Sequence, residues 1–327
     1  MTTAAHLDPA HKHDAVLIFD VTDGNPNGDP DNAGAPRTDI ETNQGLMTDV
    51  SLKRKIRDTV PLIVPDEPGY DIYVEAGTAL EAQHRRGYTA LQLPLPKAKD
   101  AKDDQQTAAT DEDTKPGRGV KSAPAEAKGA GKQKKQNETA VRDWMVTTFF
   151  DVRMFGAVMA SQIAPAGKNK GPVQLSFARS IDPVVTIPHA ITRVTQTRQS
   201  DADAGQSTEM GTKWTIPYGL YRCTVNYSAP LAARTGVTTR DLEVFWRAVE
   251  LMFEHDRAAT RGVMSLRGAY IFTHDDGLGR APLHALNELI TVERNEQAKP
   301  ARAFTDYTVT VRAHDVPTGV TLTRLIG

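Results

Sequence analysis

Cysteine is almost missing from this chain. Its 327 residues hold one, Cys223, which excludes an internal disulfide and any zinc site built on several thiolates. No apolar run reaches the roughly 18 residues of a membrane span, so no transmembrane helix is expected. Residues 1–13 lack the apolar stretch of a secretory signal. There is no Walker phosphate loop and no G-x-G-x-x-G behind a strand, so no cofactor is expected. An excess of charge is also missing: 39 Lys and Arg against 41 Asp and Glu leave a net −2. That argues against a nucleic-acid coat made by bulk charge, although local patches can still bind phosphate. A mean hydropathy of −0.44 fits a soluble, cytoplasmic chain with no membrane partner, long enough for one large or two ordinary domains.

Glycine, proline, asparagine and aspartate are instead concentrated in one place. An apolar run through Ala15, Val16, Leu17, Ile18 and Phe19 predicts a strand over residues 14–22. It runs into a loop carrying Gly24, Gly28, Gly34 and Gly45 with Pro26, Pro30 and Pro36. A loop that long is functional or disordered. A helix is predicted over 48–60, with Leu52, Ile56 and Val60 as its apolar stripe, Lys53, Arg54 and Arg57 beside it, and Pro61 and Pro65 ending it. Strand, glycine-rich loop and cationic helix form a phosphate-handling layout.

Along the rest of the chain, 1–12 read as a disordered lead-in and 71–76 as a short strand. Residues 97–139 have almost no large apolar side chain, and read as a mobile insertion. Val141, Trp144, Met145 and Phe149 make a helical face. Residues 171–180 alternate as a strand, and 186–213 with 214–227 read as a projecting hairpin with a mobile tip. Thr238 with Asp241 is a capping box opening a core helix to about His255. A strand over 265–272, a short helix over 282–289 and a last strand over 304–312 complete the chain. The predicted fold class is α+β: a ferredoxin-like plan with a mainly antiparallel sheet and large insertions, one domain over 13–327.

Several motifs fail on inspection. Asp23 to Gly28 opens like a calcium loop, but its twelfth position is Gly34 rather than Glu, and a strand precedes it. Asp29, Asp31 and Asp39 suit a metal-dependent ribonuclease, yet Asp in such a loop is more often a turn former. His255 next to Asp256 is better read as a helix-end cap than half a metal site. What remains is cationic and amide-rich: Asn25, Asn27 and Arg37 in the loop, Lys53, Arg54 and Arg57 on the helix, then Arg153, Arg179, Arg193, Gln196, Arg198 and Arg267. Such groups hold phosphates without reading sequence, and Met154 and Phe155 are candidates to wedge against bases.

The string from Phe19 through Asp23-Gly24-Asn25-Pro26-Asn27-Gly28-Asp29-Pro30-Asp31, Pro36-Arg37-Thr38-Asp39 and 45–57 resembles the backbone subunit of CRISPR Cascade complexes, most closely the type I-C version. Supporting stretches are 151–158, 171–174, 214–221 and 252–257. The resemblance implies an RNA-recognition-like palm, an inserted finger region and a thumb over 189–213. It implies copies polymerising along guide RNA, with other Cascade subunits as partners and target DNA recognised by pairing with the guide. It also implies no nuclease activity.

Overall fold

The computed structural model describes residues 4–96, 125–161, 163–195, 197, 200, 203 and 209–327, with the side chains of 125–132 outside that description. The chain forms two compact units. The first comprises Met1–Ile63, Val173–Pro230 and Thr238–Gly327, and the second Val64–Pro172 and Leu231–Val237.

The first unit is α+β around an antiparallel sheet, as expected. Its strands are β1 (His13–Gly24), β2 (Gln44–Met47), β5 (Val173–Leu175), β6 (Ala178–Pro183), β7 (Ile187–Arg193), β8 (Glu209–Tyr227), β9 (Val263–His274) and β12 (Val320–Ile326). The order is β12-β9-β1-β8-β6-β2, with β5 and β7 also on β8. β1 is central: Leu17 faces Cys223 on one side and Ala269 on the other. Its first nine residues are buried, which explains a continuous apolar run rather than an alternating one. On one face, Val16, Ile18, Tyr218, Leu220, Tyr270 and Phe272 form a core with Leu286, Ile290 and Tyr307. Those last three come from a short helix (Leu283–Asn287) and a two-stranded sheet, β10 (Ile290–Arg294) with β11 (Tyr307–Val311). On the other face Phe19 packs against Tyr221 and Phe253. Phe253 follows the helix Thr239–Leu251, whose Thr238–Asp241 capping box is present as expected. That helix buries Leu242, Phe245 and Val249 almost completely, each burial contributing roughly 2 kcal/mol.

Several expectations on this unit need correction. Residues 4–12 are not a loose lead-in. His6 O accepts from Trp246 Nε1, Pro9 O accepts from the Tyr227 hydroxyl, and Asp8 O binds His13. The first helix, α1 (Asp49–Ile63), runs through Pro61 instead of ending there, since a proline one turn from the end removes only one intrahelical N–H. The strand over 171–180 is broken at Ser176 and Phe177 into β5 and β6. Residues 304–312 are not the last strand, because β12 follows and pairs with β9. The core helix stops at Leu251, leaving His255 beyond it. The hairpin is present as β7 against the start of β8, Ile187 opposite Thr215 and Arg193 opposite Glu209. Most of its tip lies outside the described residues.

The second unit holds α2 (Leu80–Ala90), α3 (Ala125–Thr148), α4 (Phe150–Phe155) and a hairpin of β3 (Gly156–Met159) with β4 (Gly167–Lys170). Its core includes Tyr88, Val141, Met145 and Phe149, as the helical face predicted. Of the insertion 97–139, residues 97–124 lie outside the described residues. Residues 125–139 are helical, which their Ala, Lys, Glu and Gln favour. The strand expected over 71–76 reduces to one bridge, Asp71 with Phe149. The amides of Tyr73 and Val74 donate instead to the Asp151 carboxylate at 2.8 and 3.1 Å, so no neighbouring strand is needed.

Candidate nucleic-acid interface

The glycine-rich loop is an ordered structure held by its own side chains. Gly24 ends β1 against the Arg261 backbone, so closely that a Cβ there would fall 1.9 Å from Arg261 O. Asn25 N donates to Thr260 O at 2.8 Å, and Asn25 Nδ2 to Gly34 O at 2.8 Å. Asn27 Oδ1 accepts Thr48 N at 3.0 Å, and Thr48 Oγ1 accepts Ser51 N at 3.2 Å. Together they cap the start of α1, the end of a helix that favours anions.

The aspartates shape turns. Asp29 accepts from Asp31 N and lies 3.2 Å from Arg37 Nη2. Asp39 accepts from Glu41 N, Thr42 N and, at 2.6 Å, Arg179 Nη1. The Arg179 hydrogen bond, aided by those two amides, holds the Asp39 carboxyl down at about 2. No group of three or more His, Cys, Asp and Glu suited to a metal occurs among the described residues.

The loop, the start of α1 and the 258–261 turn enclose an open groove of ≈ 790 Å³. Arg37, Arg54 and Arg261 bring three guanidinium groups to its wall. Arg54 is well exposed and paired at 3.5 Å with Asp58. Burial and the nearby Arg54 charge lower the pKa of Arg261, so the two cations share a field. Asp256 is wedged between Arg261 and Lys55 and bonds both. Lys55 is buried and lies 5.8 Å from the Phe253 ring centre. Burial, then the Arg261 charge, pull its ammonium down to about 7, while the touching Asp256 carboxylate favours the charged form. Phe177, at the break between β5 and β6, lines the same groove and is 56% exposed.

The structure therefore gathers only part of the predicted set. Asn25, Asn27, Arg37 and Arg54 meet in the groove. Lys53 sits on α1 paired with Asp49 at 3.0 Å, and Arg57 is half-buried on the same helix; neither lines the groove. Arg179 is tied to Asp39 and Gln44. Arg267 donates to the buried Asp20 at 2.9 Å and lies 5.5 Å over Phe304. Arg193 is on β7, bonded to Thr195 O and Thr197 Oγ1. Gln196 and Arg198 lie outside the described residues. Arg153, Met154 and Phe155 are buried in the second unit. The Arg153 guanidinium caps the end of α3 through Val146 O and Thr147 O, donates also to Gly69 O, and lies over the Tyr70 and Phe150 rings. In that position it serves the fold. Arg261 and Phe177 were not foreseen in the groove, because each joins it through contacts distant in sequence, whereas Thr48, a capping candidate in the sequence, does cap α1.

A cationic groove at a capped helix start, with an exposed ring at its edge, has the chemistry of a surface for a phosphate-bearing polymer. Residues 11–312 match the model of the family described as CRISPR-associated protein Cas7, and the chain belongs to that family. A curated relative from Haloferax volcanii, "CRISPR-associated protein Cas7", is 40% identical over 65 residues, spanning 20% of this chain and 18% of its own length. Among solved structures, a chain of a CRISPR RNA-guided surveillance complex in a pre-nicking form is similar at TM-score 0.44 and 16% identity, over 80% of this chain and 78% of its own. Another, from a CRISPR RNA-guided surveillance complex, is similar at TM-score 0.41 and 15% identity, over 80% and 68%. Likenesses of that size leave the fold to be argued from the strand order itself.

Proposed function

We propose that this chain is a non-catalytic backbone subunit of a type I-C CRISPR effector, acting in the cytoplasm. Copies assemble along guide RNA beside other Cascade subunits and present the guide for pairing with target DNA. Membership of the Cas7 family supports this. So does the groove, whose three guanidinium groups and helix start suit a sugar–phosphate backbone. That juxtaposition of Arg37, Arg54 and Arg261 is the observation that carries the reading.

The order β9-β1-β8-β6, with α1 and the Thr239–Leu251 helix as crossovers, supports a ferredoxin-like palm. One face of that palm is covered by β10 and β11, so the guide is held at the loop end rather than across an open sheet. The exposed β7–β8 ribbon supports a thumb over 189–213. The turn-forming roles of Asp29 and Asp39 support the absence of catalysis.

The test is salt-dependent binding of guide-length single-stranded RNA by the double variant R54E/R261E. The reading expects uniform weakening across spacer sequences and a salt slope reduced by about 1 per lost phosphate contact. Unchanged affinity, or loss confined to some sequences, would contradict it. Metal-dependent RNA cleavage that vanishes in D29A or D31A would overturn the non-catalytic part.

A further inference from the structure

Each guanidinium on the groove wall is paired with an aspartate. Arg37 Nη2 lies 3.2 Å from Asp29, Arg54 Nε lies 3.5 Å from Asp58, and Arg261 bonds Asp256. The three pairs cancel, so a surface shaped for phosphate gains no net charge from them. Two of these aspartates have a structural task. Asp29 turns the loop by accepting Asp31 N, and Asp256 holds the buried Lys55. Asp58 has none of this kind.

Asp58 is exposed on α1, one turn beyond Arg54, and Arg54 is its only ion-pair partner among the described residues. The pair adds little to the helix. Both side chains are about half in water, at 61% and 47%, where ion pairs contribute little. An acid placed four residues after its base is also the weaker order on a helix. The charge of Asp58 nonetheless reaches the cations behind Arg54. Burial sets the pKa of both Lys55 and Arg261 downward, and Asp58 is a charge opposing the fall in each. A carboxylate that barely supports the fold thus acts on Arg54, Lys55 and Arg261. A phosphate approaching Arg54 must compete with it and is repelled by it.

Resting on the guide-binding reading, we infer that Asp58 is a specificity-determining residue, which keeps the Arg54 charge in check so that a single protomer grips incidental nucleic acid weakly. Contacts summed over several copies on one guide outweigh that restraint, and a lone contact does not. Discrimination is obtained by weakening the unwanted complex rather than by strengthening the wanted one.

The test measures binding of the full chain and D58N to a short oligouridylate over a range of salt. D58N is expected to bind about 5-fold more tightly, with a salt slope steeper by about 1. An oligoadenylate should show the same gain, since phosphate is what is felt. E243Q removes the carboxylate of a similar exposed pair, Arg240 with Glu243 at 3.3 Å, and should bind as the unaltered chain does. Most of the D58N gain should be lost in an R54Q background. D58N should also keep the parent's urea midpoint. The inference falls if D58N binds no more tightly than the parent, if its gain persists in R54Q, if E243Q matches it, or if the midpoint shifts. The guide-binding reading then stands, provided that the unaltered chain binds guide-length RNA. If neither the unaltered chain nor D58N binds any RNA at low salt, both fall.

Discussion

Asn27 Oδ1 accepts the backbone N–H of Thr48 at 3.0 Å. A side chain in the glycine-rich loop thus fixes the residue that caps α1, and the groove's floor and its helix are one hydrogen-bonded piece. Removing the Asn27 amide breaks that bond, and removing the Thr48 hydroxyl breaks the cap on Ser51 N. N27A and T48A are each expected to lower stability by about 1 kcal/mol, read as a drop in urea midpoint with the slope unchanged. An N27A midpoint equal to the parent's would show that the loop does not hold the helix.

Asp256 between Lys55 and Arg261 is a second such joint. Lys55 is 3% exposed, so removing Asp256 strands a buried cation. D256N is expected to cost about 3 kcal/mol, and K55M much less, because it removes the buried charge itself. Equal losses in the two variants, measured by chemical unfolding, would count against the pairing.

Gly24 is required by close approach rather than by turn geometry. G24A places a methyl group 1.9 Å from the Arg261 carbonyl, so β1 and the 258–262 turn must separate. A loss of about 2 kcal/mol or more is expected, with weaker RNA binding alongside because Arg261 moves. A G24A protein as stable as the parent would contradict the packing described.

His13 gives a pH dependence of known sign. Its Nε2 is 2.9 Å from Asp8 O, which only accepts, so Nε2 carries the proton and Nδ1 accepts from the Thr273 hydroxyl. Burial lowers its pKa from 6.5 to about 4. Protonation is thus harder in the folded than in the unfolded chain. The contribution is complete above pH 6.5 and fades as pH falls from 6.5 toward 4, by about 3 kcal/mol in full. Between pH 7 and pH 5 the parent should lose about 2 kcal/mol more than H13N. Parallel profiles would exclude His13 as the source.

Much of the frame was legible in the sequence where the signal is local. The apolar run of β1, the Thr238–Asp241 capping box and the alternation of β7 and β8 each depend on neighbours in the chain. The site was legible only as far as it is local too: Asn25, Asn27, Arg37 and Arg54 lie within one loop and the helix after it. Arg153 misled because a guanidinium capping α3 from inside has the same letter as one on a surface. The strand expected over 71–76 failed because Asp151, 77 residues beyond Val74, satisfies its amides. Phe177 looked like one more step in an alternating strand until the break between β5 and β6 exposed it. His255 and Asp256 read as a helix-end cap, but the helix stops at Leu251 and Asp256 is held instead by Lys55 and Arg261.

Coating of guide RNA by this Cas7-family chain is put to the test by purifying the unaltered protein from cells that express a CRISPR array. A high-mass assembly is expected, with an ultraviolet absorbance ratio typical of bound nucleic acid, releasing RNA of one length class. A nucleic-acid-free monomer that also fails to bind the guide at low salt would contradict it.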